Sequence, residues 1–496
     1  MREVSRRRST PPEPSRVAPE PRKPLPTEGP NGEESETTVS LEDATRQMSG
    51  QLELAFDARG EAPGTDESGE ASSAIHGTER SGTGAALLME LVVERDNVVA
   101  ALKRVQKNKG SPGVDGMTVE SLREHLRETW PVLREQLLAG TYRPRPVKRQ
   151  LIPKSDGGVR ELGIPTALDR FIQQALLQVL QPRIDPSFSS HSHGFRPGRR
   201  AHDAVCEAQK YVQEGRHWVV DVDLEKFFDR VNHDVMMSRL AKRIADKRAL
   251  GLIRRYLDAG IMADGVVTVR REGTPQGGPL SPLLANVLLD EVDKELEKRG
   301  HAFVRYADDC NIYVRSRRAG ERVMKTLRRL YARLRLQINE SKSAIARPWD
   351  RKFLGYSFWV DTDGTIRRRV ADRALATMKD RVRSITIRHG RSLTSIIADL
   401  RSYLAGWKQY FRLAEVPRMF RDLDGWIRHR LRAIQLKHWR RFGTILRKLR
   451  ALGLSAHHAG EVATNAGRWW KHSAHALNRA LPIRYFDSLG LPRLAT

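Results

Sequence analysis

The chain has 496 residues, 39% of them hydrophobic, with 87 Lys+Arg against 60 Asp+Glu and a formal net charge of +27. That length allows roughly three domains of about 150 residues, and the positive excess calls for a polyanionic partner, nucleic acid above all. Two cysteines, Cys206 and Cys310, exclude a disulfide framework or a cysteine-based zinc module and fit a reducing cytoplasm. No apolar run approaches the roughly 20 residues that span a membrane, so no membrane role is expected.

Residues 1–80 hold 10 Lys+Arg against 16 Asp+Glu, a net of −6, which leaves +33 for the remainder. Pro, Glu, Ser, Gly and Thr dominate residues 1–84, with few aromatics and no apolar signal core. Such a composition cannot bury enough surface to offset the entropy of ordering, so a disordered tail is expected. Its one apolar spot, Leu52-Glu53-Leu54-Ala55-Phe56, reads as plain tail more readily than as a docking motif.

Helical periodicity begins near Leu87, with Leu91, Val98, Leu102 and Val105 on one face. The turn-rich run Lys109 to Gly116 follows, then helices over 117–139 and 166–181. Between them, Val147 to Pro165 reads as strand–turn–strand, with Asp156-Gly157-Gly158 at the turn. Lys154 and Arg160 flank that turn and would converge on one anion, although two basic residues beside a turn are more often simply solvated.

From 217 to 316 apolar strands alternate with helices. In Trp218 to Asp229 the strand alternation puts Val220 and Val222 on one face and Asp221 and Asp223 on the other. Four carboxylates fall within nine positions there, around the pair Phe227-Phe228. Gly273-Thr274-Pro275-Gln276-Gly277-Gly278 is a Gly- and Pro-punctuated loop ahead of a long apolar-periodic helix. It reads equally as an ordinary helix start or as backbone lying close against a nucleotide. Tyr306-Ala307-Asp308-Asp309 places two adjacent carboxylates at the turn of a hairpin between two β-prone runs. A strand carboxylate beside two more on a hairpin suits two Mg²⁺ ions about 3.5–4 Å apart, serving an attacking 3′-hydroxyl and a departing pyrophosphate.

Taken in order, these segments resemble the bacterial group II intron-encoded reverse transcriptases/maturases. Tyr306 to Asp309 resembles the family's catalytic turn, Asp223-Leu224-Glu225-Lys226-Phe227-Phe228-Asp229 its other palm motif, and Thr274 to Gly278 its primer- and nucleotide-facing loop. Residues 148–165 resemble the fingers hairpin, and His193-Gly194-Phe195-Arg196-Pro197-Gly198 the motif that follows. Leu87 to Gly116 resembles the family's N-terminal extension. The resemblance runs from about 87 to the C-terminus.

It implies an α+β right-hand polymerase, with fingers and palm over 85–365, a helical thumb/maturase domain over 366–430 and a small basic DNA-binding-like region over 431–496. It implies RNA-directed DNA synthesis by a two-metal mechanism, with Mg²⁺ (Mn²⁺ as a substitute) on Asp223, Asp308 and Asp309. Asp221 is the rival of Asp223, which is preferred because it stands five residues before Phe228. Phe228 would exclude a 2′-hydroxyl, Lys154 and Arg160 would hold the triphosphate, and Gln276 and Lys342 would sit near the incoming nucleotide. The implied partners are a group II intron RNA, an RNA template with a DNA primer, dNTPs and target DNA.

Residues 367–450 carry 23 Lys+Arg against 6 Asp+Glu and read as mostly helical. Trp407, Tyr410 and Phe411 are expected in the core, and the interleaved Lys408 and Arg412 on RNA, through phosphates and shape rather than a groove code. No cysteine follows Cys310, and His438, His457, His458, His472 and His475 show no metal-ligand spacing, so no endonuclease is expected and priming would need a DNA end. Two other readings fit parts of the chain: a related reverse transcriptase of a defence or diversity-generating system, and an RNA-binding splicing factor with a dead polymerase, against which the intact Asp223, Asp308 and Asp309 argue.

Overall fold

The computed structural model describes residues 88–153, 159–263, 266–268, 272–274, 277–387, 390–465, 467, 469–474 and 476–495. The expected tail 1–84 lies outside the described residues.

The first strands form the fingers sheet. β1 (Val147–Pro153) and β2 (Val159–Ile164) pair antiparallel from Lys148↔Ile164 to Pro153↔Val159. β3 (Trp218–Val222) belongs to a second sheet, while β4 (Ile261–Ala263) joins β1 in parallel and β5 (Val266–Thr268) closes the order β2-β1-β4-β5. Helices Arg95–Lys107, Leu122–Leu138 and Ala167–Ile184 share one core with each other and with the palm. The last begins where Thr166 accepts the Asp169 N–H at 3.0 Å, a side-chain cap for an otherwise orphaned donor.

The palm sheet adds β6 (Ala302–Tyr306), β7 (Asp309–Val314) and β8 (Ala344–Ala346) in the order β6-β7-β3-β8. Its strands read as near-continuous apolar runs because both faces are covered. Val220, Val222, Phe303, Cys310 and Ile312 join one core with the helices Ser281–Lys298 and Arg317–Arg333. Val219, Val304, Tyr306 and Tyr313 join a second core on the other face, with the helix Ala201–Gln213 and residues as far as Leu494.

A third sheet, of order β11-β10-β9, comprises β9 (Lys352–Phe353), β10 (Tyr356–Val360) and β11 (Ile366–Val370). The chain from 367 onward is mostly helical, as expected, but its first residues complete this strand and helix starts at Asp372. The strand is masked by three consecutive arginines, of which Arg367 pairs with Asp361 at 2.5 Å and Arg368 with Glu415 at 3.1 Å.

Beyond it, the helices Asp372–Ile385, Leu393–Tyr410 and Pro417–Trp439 follow, and the last runs unbroken through residue 430. Trp407 and Phe411 are buried here, their rings 4.7 Å apart, as a core role requires. Among the described residues no helix is long and apolar enough to cross a membrane.

Candidate active site

The site is built at one end of the palm sheet. β3 and β7 run antiparallel with Asp221↔Asn311 and Val222↔Cys310 opposite one another. Alternation therefore puts Asp221, Asp223, Asp309 and Asn311 on one face, as the strand pattern predicts. β6 and β7 close a tight hairpin in which Tyr306 faces Asp309 across Ala307 and Asp308. Ala307 takes φ +56°, the left-handed region that costs a residue with a Cβ roughly 1–2 kcal/mol. That conformation sets both aspartates at the sheet's end.

Asp309 is solvent-exposed yet crowded by protein, the situation of a group in an open cleft. That crowding, followed by the charges of Asp308, Asp221 and Asp223, pushes its carboxyl up to about 7. Asp221 is also pushed up, by burial first, against the pull of Arg351. Arg351 grips Asp221 Oδ2 through Nη2 at 2.6 Å and through Nε at 2.7 Å, and reaches the Lys342 carbonyl at 2.6 Å. Asp223 has a looser partner, Lys342 Nζ at 3.8 Å, and its backbone is fixed by Ser343 Oγ and the Asn339 amide.

Mutually repelling carboxylate oxygens on one face are the donor set a hard divalent cation takes. Their chemistry fits Mg²⁺. Among the described residues, however, no three His, Cys, Asp or Glu side chains close on a single cation position, and Asp221 and Asp223 each lean toward a cationic side chain.

Phe228 lies half-buried, edge-to-face with buried Phe227 at 5.0 Å between ring centroids. Its carbonyl accepts the Thr274 amide at 2.7 Å, and the Val231 carbonyl accepts that of Gly273 at 2.7 Å. The Gly-rich loop is thereby tied to the palm motif. On its far side, a Cβ on Gly277 would stand 2.7 Å from the Gly163 carbonyl oxygen of β2, so the loop touches fingers and palm together. Arg160 lies in β2 opposite Ile152. Its side chain, all of Lys154 and all of Gln276 fall outside the described residues. Lys408, far along the chain, donates to the Arg493 carbonyl at 2.9 Å, and Arg412 is exposed.

Two arginines at this site escaped sequence reasoning. Arg351 lies between recognisable segments and carries no signal of its own. Arg305 did carry one: it is the sole charged residue of an otherwise apolar strand, and it proves to be buried.

Residues 152–358 match the family described as reverse transcriptase (RNA-dependent DNA polymerase), and residues 375–451 match the group II intron, maturase-specific domain. Protein YkfC of Escherichia coli (strain K12) is 37% identical over 219 residues, 43% of this chain and 57% of that one. Group II intron-encoded protein LtrA of Lactococcus lactis subsp. cremoris is 28% identical over 348 residues, 57% of this chain and 58% of that one. The chain thus spans less than two thirds of the length of either relative. A chain of the partial Cas6-RT-Cas1--Cas2 complex aligns with a TM-score of 0.33 at 26% identity, covering 53% of this chain and 45% of that one. A reverse transcriptase match and a group II intron maturase-specific match thus follow one another along the chain.

Proposed function

We propose that this protein is an RNA-directed DNA polymerase that also binds a group II intron RNA and assists its splicing and mobility. The observation that carries the polymerase half is the gathering of Asp223, Asp308 and Asp309 at one end of the palm sheet, with Asp309 raised to about 7 by its crowding and its acidic neighbours. In this reading those three residues hold two Mg²⁺ ions, with Mn²⁺ as a substitute. Bound metal supplies activation of the primer 3′-hydroxyl and charge stabilisation at the leaving pyrophosphate. Asp221 is the weaker ligand candidate because Arg351 already occupies it.

Lys342 stands beside Asp223, where it would meet a triphosphate, and Lys154, Arg160 and Gln276 are assigned to the same nucleotide. Phe228, with its carbonyl tied to Thr274, would lie under the sugar and reject a 2′-hydroxyl, so that dNTPs are used on an RNA template with a DNA primer. The intron RNA is assigned to the basic helices after 371, with Arg412 a better contact than Lys408, which already donates within the protein. Target DNA is assigned to the basic region beyond 431. Both cysteines are free thiols, which suits a reducing cytoplasm.

The test separates the two strand aspartates. Asp223→Asn is expected to lose primer extension on an RNA template with Mg²⁺ and dNTPs, whereas Asp221→Asn retains a measurable fraction. The reverse order of severity would overturn the ligand assignment.

A further inference from the structure

Arg305 is 1% exposed, and its partner Asp293, on the helix Ser281–Lys298, is 0% exposed. It lies on the face of the palm sheet opposite the carboxylates, since it pairs with Cys310 rather than with Asp309. A guanidinium has five N–H donors, and here all five have acceptors. Nε donates to Asp293 at 2.9 Å, and Nη2 donates to Asp293 Oδ2 at 2.5 Å and to Ser192 Oγ at 2.7 Å. Nη1 donates to Asn286 Oδ1 at 2.9 Å and to the Ala307 carbonyl at 2.8 Å.

The last of these bonds matters most. Ala307 is the left-handed residue of the turn, and its carbonyl belongs to the peptide that leads into Asp308. The same cluster fixes a second strip of backbone against the turn. The His191 carbonyl accepts the Arg305 amide and the Arg305 carbonyl accepts the His193 amide, each at 2.9 Å. Asn286 Nδ2 donates to the Gly194 carbonyl at 2.9 Å, and a Cβ on Gly194 would meet the Ala307 amide. Three separate stretches of chain, 189–194, 286–293 and 305–307, are thus locked together beneath the two turn aspartates.

We infer that Arg305 is a positioning residue for DNA synthesis, and that the Arg305–Asp293–Asn286–Ser192 cluster holds the Ala307 peptide in the conformation that presents Asp308 and Asp309 to the cleft. This inference rests on the polymerase reading above. Stability alone gives a weak reason for such a cluster. An apolar pair of similar volume commonly serves a core as well as a buried ion pair does, or better, while loss of one partner strands a charge. An apolar pair, however, gives the Ala307 carbonyl no donor.

That contrast supplies the experiment. The double variant Arg305→Met with Asp293→Leu removes both charges, and Arg305→Lys keeps the charge opposite Asp293 but not the fork that also reaches Ala307. Thermal unfolding, single-nucleotide incorporation on an RNA template and the Mg²⁺ concentration for half-maximal rate are measured for the full-length protein. The double variant is expected to unfold within a few degrees of the wild type, yet with kcat lowered on the order of 100-fold, the effect of misplacing a catalytic group by about 1 Å. Its KM for dNTP stays within about threefold, and more Mg²⁺ is needed. Arg305→Lys is expected to remain at least ~10-fold below the wild type. If the double variant does not fold, Arg305→Lys and Asn286→Ala carry the test, and wild-type kcat in both overturns the inference. Wild-type kcat in a folded double variant overturns it as well. Failure of the wild type itself to extend a primer would instead sink the polymerase reading.

Discussion

Gly194 packs so closely against Ala307 that a Cβ on Gly194 would collide with the Ala307 amide nitrogen, and both the Ala307 backbone and the Tyr306 carbonyl carbon stand in its way. The atom is backbone on both sides, so no flexible side chain can yield. Gly194→Ala is therefore expected to push the Tyr306–Asp309 turn outward. Single-nucleotide incorporation should fall on the order of 100-fold, with RNA affinity unchanged in a filter-binding assay at the same salt. Wild-type incorporation in this variant would mean that the turn tolerates displacement.

Phe228 is held twice, by the Phe227 ring at 5.0 Å and by the Thr274 amide on its carbonyl at 2.7 Å. Truncation leaves the backbone tie intact and removes only the ring. Phe228→Ala is expected to raise incorporation of ribonucleotides relative to deoxynucleotides on the order of tenfold or more, within the range a single lost packing group gives. Competition between rNTP and dNTP at one template position measures it, and unchanged sugar selectivity would remove the gate role.

The palm carries a pH-dependent brace on its other side. Glu207 accepts from His193 Nε2 at 2.6 Å and from Tyr211 at 2.7 Å, and pairs with His191 Nδ1. Burial pushes the Glu207 carboxyl up, but its bonds to His191, His193 and Tyr211 outweigh that and hold it at about 2. The bond to Glu207 raises His191 above its ordinary 6.5, against some loss from burial. A depressed carboxyl contributes stability that is complete above its ordinary 4.5 and is lost as pH falls toward about 2. A raised His contributes stability that is complete below 6.5 and is lost as pH rises through its folded value. The difference in unfolding temperature between the wild type and Glu207→Gln should thus be largest from about pH 4.5 to 6.5 and shrink on either side. A difference flat from pH 4 to 9 would contradict it.

The intron-binding reading is tested on the exposed Arg412 rather than by truncation. Removing residues beyond 371 would strip Leu393, Ile396, Leu400 and Leu404 from a core they share with Val219, Val304 and Tyr313 of the palm. Arg412→Glu is expected to weaken intron RNA binding several-fold at low salt and to reduce the steepness of its salt dependence by about one phosphate contact. Unaltered affinity and slope would place the RNA elsewhere.

Much of this architecture is legible in the sequence because its signals are local. Alternation in Trp218–Val222 forecasts which face bears Asp221 and Asp223, and the carboxylates between two β-prone runs forecast the hairpin. The strand Ile366–Val370 is not legible, since Arg367, Arg368 and Arg369 hide the alternation, and Arg367 acquires Asp361 and Asp363, and Arg368 acquires Glu415, only in the fold. The Arg305–Asp293 pair is equally hidden: twelve residues and a helix–strand junction separate its members, and nothing local announces that Ser192 and Asn286 will meet them. The Arg351–Asp221 contact, on which the proposed preference for Asp223 rests, joins residues 130 apart and leaves no local signal.

The most direct measurement is primer extension on an RNA template with Mg²⁺ and dNTPs, comparing the wild type with the variant carrying Asp308→Ala and Asp309→Ala. The wild type should synthesise complementary DNA, and the double variant should yield none above background while still binding the template–primer. Normal synthesis by the double variant would contradict the assignment of the Ala307–Asp309 turn as the catalytic centre.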